Sequence, residues 1–242
     1  MGNLRQNFSK LLKKIIWQID IPLQMTGIDA IHVDLGAGNV PRNPFNANKL
    51  YATDLNSSFI TKEGYVFIKS DLTQTLPFED NSISSMSAFD VLEHIPRWER
   101  TNHGVSFPFV NLMNEIYRVL TPGGIFLAVM PAFPNQEAFK DPTHINMMSK
   151  ATIQYFALPE PWAKLLGYGF NGGFEVETQC WLRGKGPYLS SSVVNSWRSS
   201  SGMKRITIVA IIVGRIASLK KRKKDCPLLW VLRKPISISG EQ

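Results

Sequence analysis

The chain of 242 residues has little cysteine: Cys180 and Cys226 are far apart, and neither belongs to a pair at metal-ligand spacing. That rules out a disulfide framework and makes a reducing cytoplasm the simplest compartment. Histidine is also sparse, with four in all, so few imidazoles are open to proton transfer. A bilayer span needs roughly 20 apolar residues. The stretch Ile206 to Leu219 is only 14 residues long and contains Arg215, which is too short. The start Met1-Gly-Asn-Leu-Arg-Gln6 lacks both the hydroxyl residue of a myristoylation signal and a secretory apolar core. No internal repeat is visible.

What is present belongs to a folded enzyme-sized domain. An apolar content of 44% with 19% charged residues excludes wholesale disorder. The length suits one domain with extensions, expected as an N-terminal amphipathic helix over 1–25, a core over 26–202 with an acceptor-site segment at 131–173, and a basic helical segment with a final strand over 203–242. The net charge of +8 is localised: Met203 to Lys234 carries ten bases and one acid, a balance of +9 that leaves −1 for the rest. Basicity therefore sits in an appendage and not along a cleft, which argues against a nucleic-acid substrate. Ile206 to Leu219 followed by Lys220-Lys-Arg-Lys-Lys224 fits either a core-packed helix with a solvated basic end or an interfacial helix meeting anionic inner-leaflet lipid. Leu4, Phe8, Leu11, Leu12, Ile15 and Ile16 also share one helical face, with Lys10, Lys13 and Lys14 beside it.

Five short segments between Ile31 and Gly124 carry the functional information. Ile31-His-Val-Asp-Leu-Gly-Ala-Gly38 reads as a buried parallel strand breaking into a glycine turn, where Gly36 and Gly38 let the backbone approach a ligand. Leu50 to Asp54 is a second strand, ending in a carboxylate 18 residues after Gly36. An acid at about that distance can accept hydrogen bonds from both hydroxyls of a ribose. Tyr65 to Leu72 is a third strand ending at Asp71, and Met86 to Arg97 is a fourth, with Asp90, Glu93 and His94 at its end. Phe109 to Leu120 repeats its apolar residues at helical spacing, is closed by Thr121-Pro-Gly-Gly124 and leads into the strand Ile125 to Met130. Acids and glycines ending successive parallel strands converge in the crevice beyond their carboxyl ends. The expected fold is thus α/β: a Rossmann-like, doubly wound sheet of about seven strands with helices on both faces. Pro41 and Pro44 leave only a shortened first helix, and the basic helical segment is inserted before the last strand.

Asp34-Leu-Gly-Ala-Gly38, Asp54, Asp71-Leu72, Leu92-Glu-His-Ile95 and Leu120-Thr-Pro-Gly-Gly124 together resemble the class I S-adenosylmethionine-dependent methyltransferases. Arg42-Asn-Pro-Phe45, Glu93-His-Ile-Pro-Arg97, Met113 to Leu120 and Asp141-Pro-Thr-His-Ile-Asn146 resemble a bacterial branch often associated with surface-polysaccharide biosynthesis. The resemblance implies S-adenosyl-L-methionine as cofactor, held by Asp34, Gly36, Gly38, Asp54, Leu55, Asp71, Leu72 and Asp90. It further implies a small-molecule acceptor, in that branch a sugar hydroxyl of a glycan or lipid-linked glycan precursor. A nicotinamide dehydrogenase is the main rival on this scaffold, but it prefers a third glycine where this chain has Pro41. Two more readings compete: a nucleic-acid methyltransferase, and a catalytically silent cofactor-binding or membrane-interaction module.

Past the fifth strand, Pro131 to Met148 is expected to wall the acceptor site, with a short helix over Met147 to Phe156 and strands at Phe174 to Trp181 and Leu228 to Leu232. Methyl transfer is an in-line displacement, so alignment of the acceptor dominates and a base helps most when the acceptor is a hydroxyl. His94 and His144 are the catalytic candidates, and Glu93, Arg97, Asp141 and His144 the substrate-binding ones. His32, inside the first strand, is expected to be structural, and His103 lies in a loop that nothing places. Asp141, His144 and Glu93 include metal-ligand types, but their spacing specifies no metal and none is assigned. The protein is expected in the cytoplasm, with the basic segment as a possible peripheral contact at the inner membrane face.

Overall fold

The computed structural model describes residues 30–56, 64–102, 104–182 and 226–236. The helices expected at 1–25 and 206–224 lie outside the described residues, as does His103.

Seven strands form one sheet. They are β1 (Ile31–Leu35), β2 (Lys49–Asp54), β3 (Val66–Lys69), β4 (Ile83–Phe89), β7 (Leu120–Met130), β10 (Glu175–Trp181) and β11 (Leu228–Arg233), in the spatial order β10-β11-β7-β4-β1-β2-β3. Strands β3, β2, β1, β4 and β7 run parallel, β11 is antiparallel to β7, and β10 is antiparallel to β11. The chain builds outward from β1 to β3 and then crosses back to place β4 on the other side of β1. The carboxyl ends of β1 and β4 therefore flank the switch point, where open α/β sheets bind ligands.

Alternation along β1 sends its side chains to opposite faces. Val33 and Leu35 join the larger core cluster with Met86, Ala88, Phe126 and Ala128, covered by Leu112, Met113, Ile116 and Val119 of helix α1 (Pro108–Val119). His32 and Asp34 are fully buried and hydrogen-bonded to Ser85 and Ser87 of β4, beside a second cluster that contains Phe45, Phe89, Leu127 and Val231. Pro at the start of α1 suits a helix whose first amide would have no partner in any case.

Three local expectations are corrected. No first helix forms between β1 and β2: residues 36–48 are turns and irregular backbone, with the Asn43 side chain bridging to both backbone groups of Ala47. Pro41 and Pro44 deny a helix its amides. The Thr121-Pro-Gly-Gly124 stretch is not a stop between α1 and a strand starting at Ile125. Leu120 turns extended directly after α1 and pairs with Ile83, so β7 begins there, and a register shift before Ser85 absorbs the irregularity. Met147 to Phe156 is a two-residue strand β9 (Met148–Ser149) followed by a 3-10 turn over Lys150–Tyr155, with Ser149 and Thr152 forming a capping box.

The smaller elements surround the carboxyl end of the sheet. Strands β5 (Glu99–Thr101) and β6 (Gly104–Ser106) make a hairpin before α1. Strand β8 (Ala132–Phe133) pairs in parallel with β9 across the short helix α2 (Glu137–Lys140), and helix α3 (Trp162–Leu165) precedes β10. Among the described residues, no helix is long and apolar enough to cross a membrane.

Candidate active site

The glycine turn and the end of β4 meet directly. Gly36 has φ +60, and a Cβ there would sit 2.5 Å from Cγ2 of Val91, so only glycine lets the two loops approach this closely. Gly38 has φ +55, with nothing within 4 Å of the position its Cβ would take. One glycine thus serves packing, and the other faces open space at the mouth of the crevice.

The carboxylates at the strand ends differ in what they touch. Asp34 is fully buried: Ser87 Oγ donates to its Oδ1 at 2.6 Å and the Arg42 amide to its Oδ2 at 2.7 Å, so both oxygens are spent inside the protein. Burial pushes its carboxyl up to about 7, partly offset by those two donors. It pins the loop that follows β1. Asp54 Oδ2 accepts from the Gly38 amide at 3.0 Å and Oδ1 from the Asn56 amide at 2.9 Å. A carboxylate has about four lone-pair sites, so capacity remains for two hydroxyls. Asp71 is exposed and closes a local turn on the amide and hydroxyl of Thr73, while Leu72 is buried and Leu55 is exposed. Asp90 has φ 54, in the left-handed region, and its Oδ1 is buried without a partner. Burial raises its carboxyl to about 7.

Beyond Asp90, a 3-10 turn over Leu92–His94 brings Glu93 and His94 to the crevice. Glu93 is 1% exposed, and neither carboxyl oxygen has a hydrogen-bond partner. Burial pushes its pKa up to about 8. His144 approaches from the wall segment: its Nε2 lies 3.9 Å from Glu93 Oε1 and 4.0 Å from Asp141 Oδ2, and its Nδ1 faces the Ala138 carbonyl at 3.3 Å. The rings of His94 and His144 stand edge to face, 4.8 Å apart. Asp141 Oδ1 accepts from the Thr143 amide and hydroxyl, and Thr143 in turn meets His94 Nδ1 through its hydroxyl oxygen at 3.1 Å and its carbonyl at 3.3 Å. The structure therefore brings Glu93, His94, Asp141 and His144 together. Arg97 is turned to the wall, donating from Nε to Asn146 Oδ1 at 2.7 Å and from its other arm to the Met147 carbonyl.

The wall is stitched to β4 by backbone. The amides of Ile145 and Asn146 both donate to the Glu93 carbonyl, and the Asn146 side chain donates to the Leu92 carbonyl. Sequence reasoning missed Ser87, Thr143 and Asn146. Thr143 left a trace, since Asp-x-Thr favours a side-chain-closed turn; Ser87 left none. His32 is buried between Ser85 Oγ and Ser87 Oγ, each 2.9 Å away. Burial lowers its pKa to about 3, which keeps the ring neutral.

Residues 33–128 match the family model described as a methyltransferase domain, which covers β1 through most of β7 and so includes the glycine turn, Asp54 and the Asp90 to His94 stretch. A search of the curated proteins found no match. Among solved structures, the chain is similar to the protein in complex with the Haloferax volcanii Trm112 methyltransferase activator, at 15% identity and TM-score 0.51 over 93% of this chain and 88% of that one. It is likewise similar to a Bacillus halodurans C-125 protein assigned as a methyltransferase, at 18% identity and TM-score 0.51 over 93% of this chain and 98% of that one. The cyclase SpnF has the same shape at 14% identity and TM-score 0.50 over 94% of this chain and 81% of that one, so these likenesses establish the fold and not the reaction. The match over 33–128 supplies the reaction class: this part of the chain is a methyltransferase domain, and the cofactor of such a domain is S-adenosylmethionine.

Proposed function

We propose that the methyl group passes to a sugar hydroxyl of a glycan or lipid-linked glycan precursor. The observation that supports this is the pairing of His94 and His144, 4.8 Å apart over the buried Glu93, at the end of β4. An amine acceptor needs no base, whereas a hydroxyl benefits from one placed beside it. When bound, S-adenosylmethionine would supply the methyl group, and an imidazole nitrogen of His94 or His144 would take the proton of the acceptor hydroxyl as its oxygen is methylated. Asp54, Asp71 and the Gly36 to Gly38 turn would hold the ribose and the amino acid tail, with Asp34 acting through the loop it pins. The basic Lys220 to Lys224 run, outside the described residues, fits a contact with anionic lipid at the inner membrane face, where a lipid-linked acceptor would be met.

The test is product analysis with carbon-13 methyl-labelled cofactor against nucleotide sugars, oligosaccharides, lipid-linked saccharides and RNA. An O-methyl carbon signal on a saccharide is the expected result, and methylation of RNA alone overturns the proposal. With the acceptor known, alanine at the operative histidine should lower turnover roughly 10²–10⁴-fold and leave cofactor affinity nearly unchanged. Full turnover in both His94→Ala and His144→Ala would show that alignment alone suffices.

A further inference from the structure

We propose that Glu93, His94 and His144 form a site for a divalent transition-metal cation of the Mn2+ or Zn2+ type on the acceptor side of the crevice. One ligand atom from each of the three lies within 4.8 Å of the others. They come from two separate parts of the chain, the turn after β4 and the wall segment, which the Glu93 carbonyl locks together by accepting the amides of Ile145 and Asn146.

Two further features point to a cation. Both Glu93 oxygens are buried without a donor, at 1% exposure for the residue, and Oε1 faces His144 Nε2. A carboxyl group left unpaired in this way is costly unless something else meets it. The second feature is the state of the His144 ring. Its Nδ1 faces the Ala138 carbonyl, which can only accept, so Nδ1 carries a proton, and in the neutral ring the Nε2 lone pair points at Glu93 and Asp141. An outer hydrogen bond from one ring nitrogen to a backbone carbonyl is the arrangement that orients metal-ligating histidines. His94 is held likewise, with Nδ1 against the carbonyl and hydroxyl of Thr143, whose hydroxyl is itself bound to Asp141.

The spacing suits an ion better than a proton. At 3.9 Å, His144 Nε2 and Glu93 Oε1 are too far apart for a hydrogen bond. Two ligands bound tetrahedrally at about 2.1 Å stand about 3.4 Å apart, so small side-chain rotations would close the set. Two imidazoles with one carboxylate favour a first-row transition metal over Mg2+ or Ca2+, which prefer oxygen throughout. The use of the ion, to hold an acceptor hydroxyl beside the methyl group, rests on the function proposed above; its binding does not. With the ion bound, the ring lone pairs are occupied, so the ion replaces the imidazole base described above and the proton of the held hydroxyl leaves to water. Metal uptake thus overturns the base role of the histidines and leaves the hydroxyl acceptor standing.

The test uses the untagged full chain, stripped with a chelator and titrated calorimetrically with MnCl2 and with ZnCl2. About one equivalent should bind to the wild type. Glu93→Gln, His94→Asn and His144→Asn should each weaken binding by more than the roughly 10–100-fold that loss of an outer partner costs. Binding of S-adenosylhomocysteine to each variant reports that it is folded. A measurement on the wild type alone stands beside this: Co2+ should give the intense visible bands of a low-symmetry nitrogen and oxygen site. No uptake by the wild type, unchanged uptake in all three variants, or only the pale spectrum of aqueous Co2+ overturns the site while leaving methyl transfer intact. Metal uptake as expected, without methylation of any saccharide, upholds the site and overturns the acceptor.

Discussion

The backbone amide of Gly38 donates to Asp54 Oδ2 at 3.0 Å, so the turn after β1 and the tip of β2 share one carboxylate. Asp54→Ala should therefore weaken binding of S-adenosylhomocysteine in two ways, by removing the acceptor for the ribose hydroxyls and by releasing the glycine turn. Each hydrogen bond to a charged group contributes about 1.5–3 kcal/mol, so a loss of at least tenfold is expected by calorimetry. Unchanged affinity would reject the ribose assignment.

Gly36 and Gly38 both have positive φ, yet a methyl group at each meets different surroundings. Gly36→Ala adds a collision with Val91 to the backbone strain, whereas Gly38→Ala carries the strain of about 1–2 kcal/mol alone. Thermal unfolding should thus show the larger loss for Gly36→Ala. The smaller loss for Gly38→Ala should come with weakened cofactor binding, because its new methyl points into open space at the crevice. Equal destabilisation of the two would mean that the Val91 contact is not tight.

The buried chain His32–Ser87–Asp34 should leave a mark on stability against pH. His32, lowered by burial to about 3, binds its proton only in the unfolded chain between about 3 and its ordinary value near 6.5, so its contribution to stability rises with pH across that window. Asp34, raised by burial to about 7, holds its proton in the folded chain from its ordinary value near 3.9 upward, so its contribution falls as pH rises through the same range. The two slopes oppose each other. Asp34→Asn removes the falling one, so its melting temperature should rise relative to that of the wild type as the pH goes from about 4 to 6.5. Parallel melting curves across that range would contradict the buried-acid assignment.

Vesicle sedimentation addresses the basic segment. Binding to anionic but not neutral vesicles is expected, weakened by salt because the attraction is screened within roughly 8 Å at physiological ionic strength. Neutralising Lys220, Lys221, Arg222, Lys223 and Lys224 together should abolish it. No binding even at low salt would remove the physical support for a lipid-linked acceptor.

The strand framework is legible in the sequence because each strand of the first half ends in a residue with a distinct physical role: glycine where backbone must bend, an acid where strand ends converge. Phe174 to Trp181 and Leu228 to Leu232 are legible from alternation and apolar content, and both lie in the sheet. After Gly38 the prolines lower helix propensity without saying what replaces the helix, so the pattern alone suggests a shortened one. The replacement, an irregular loop tied to Asp34 through the Arg42 amide, depends on a strand neighbour that local pattern does not reveal. Charge alone points Arg97 toward substrate, and its hydrogen bonds to Asn146 and Met147 cross about 50 positions of sequence. The meeting of His94 with His144 is within reach of the sequence, since each follows a strand that ends at the crevice, but the carbonyl that fixes each ring tautomer is not.

Two amides from the wall, Ile145 and Asn146, converge on the single carbonyl of Glu93, while β8 and β9 pair at its other margin. The stretch between these attachments is consequently a cassette: its ends are fastened by backbone, which is indifferent to side-chain identity. Residues 134–140 can thus diverge or be exchanged between related enzymes with little effect on the parallel sheet, provided Asp141, Thr143 and His144 keep their places. On the proposed placement of the acceptor against this wall, its choice is free to change faster than cofactor choice.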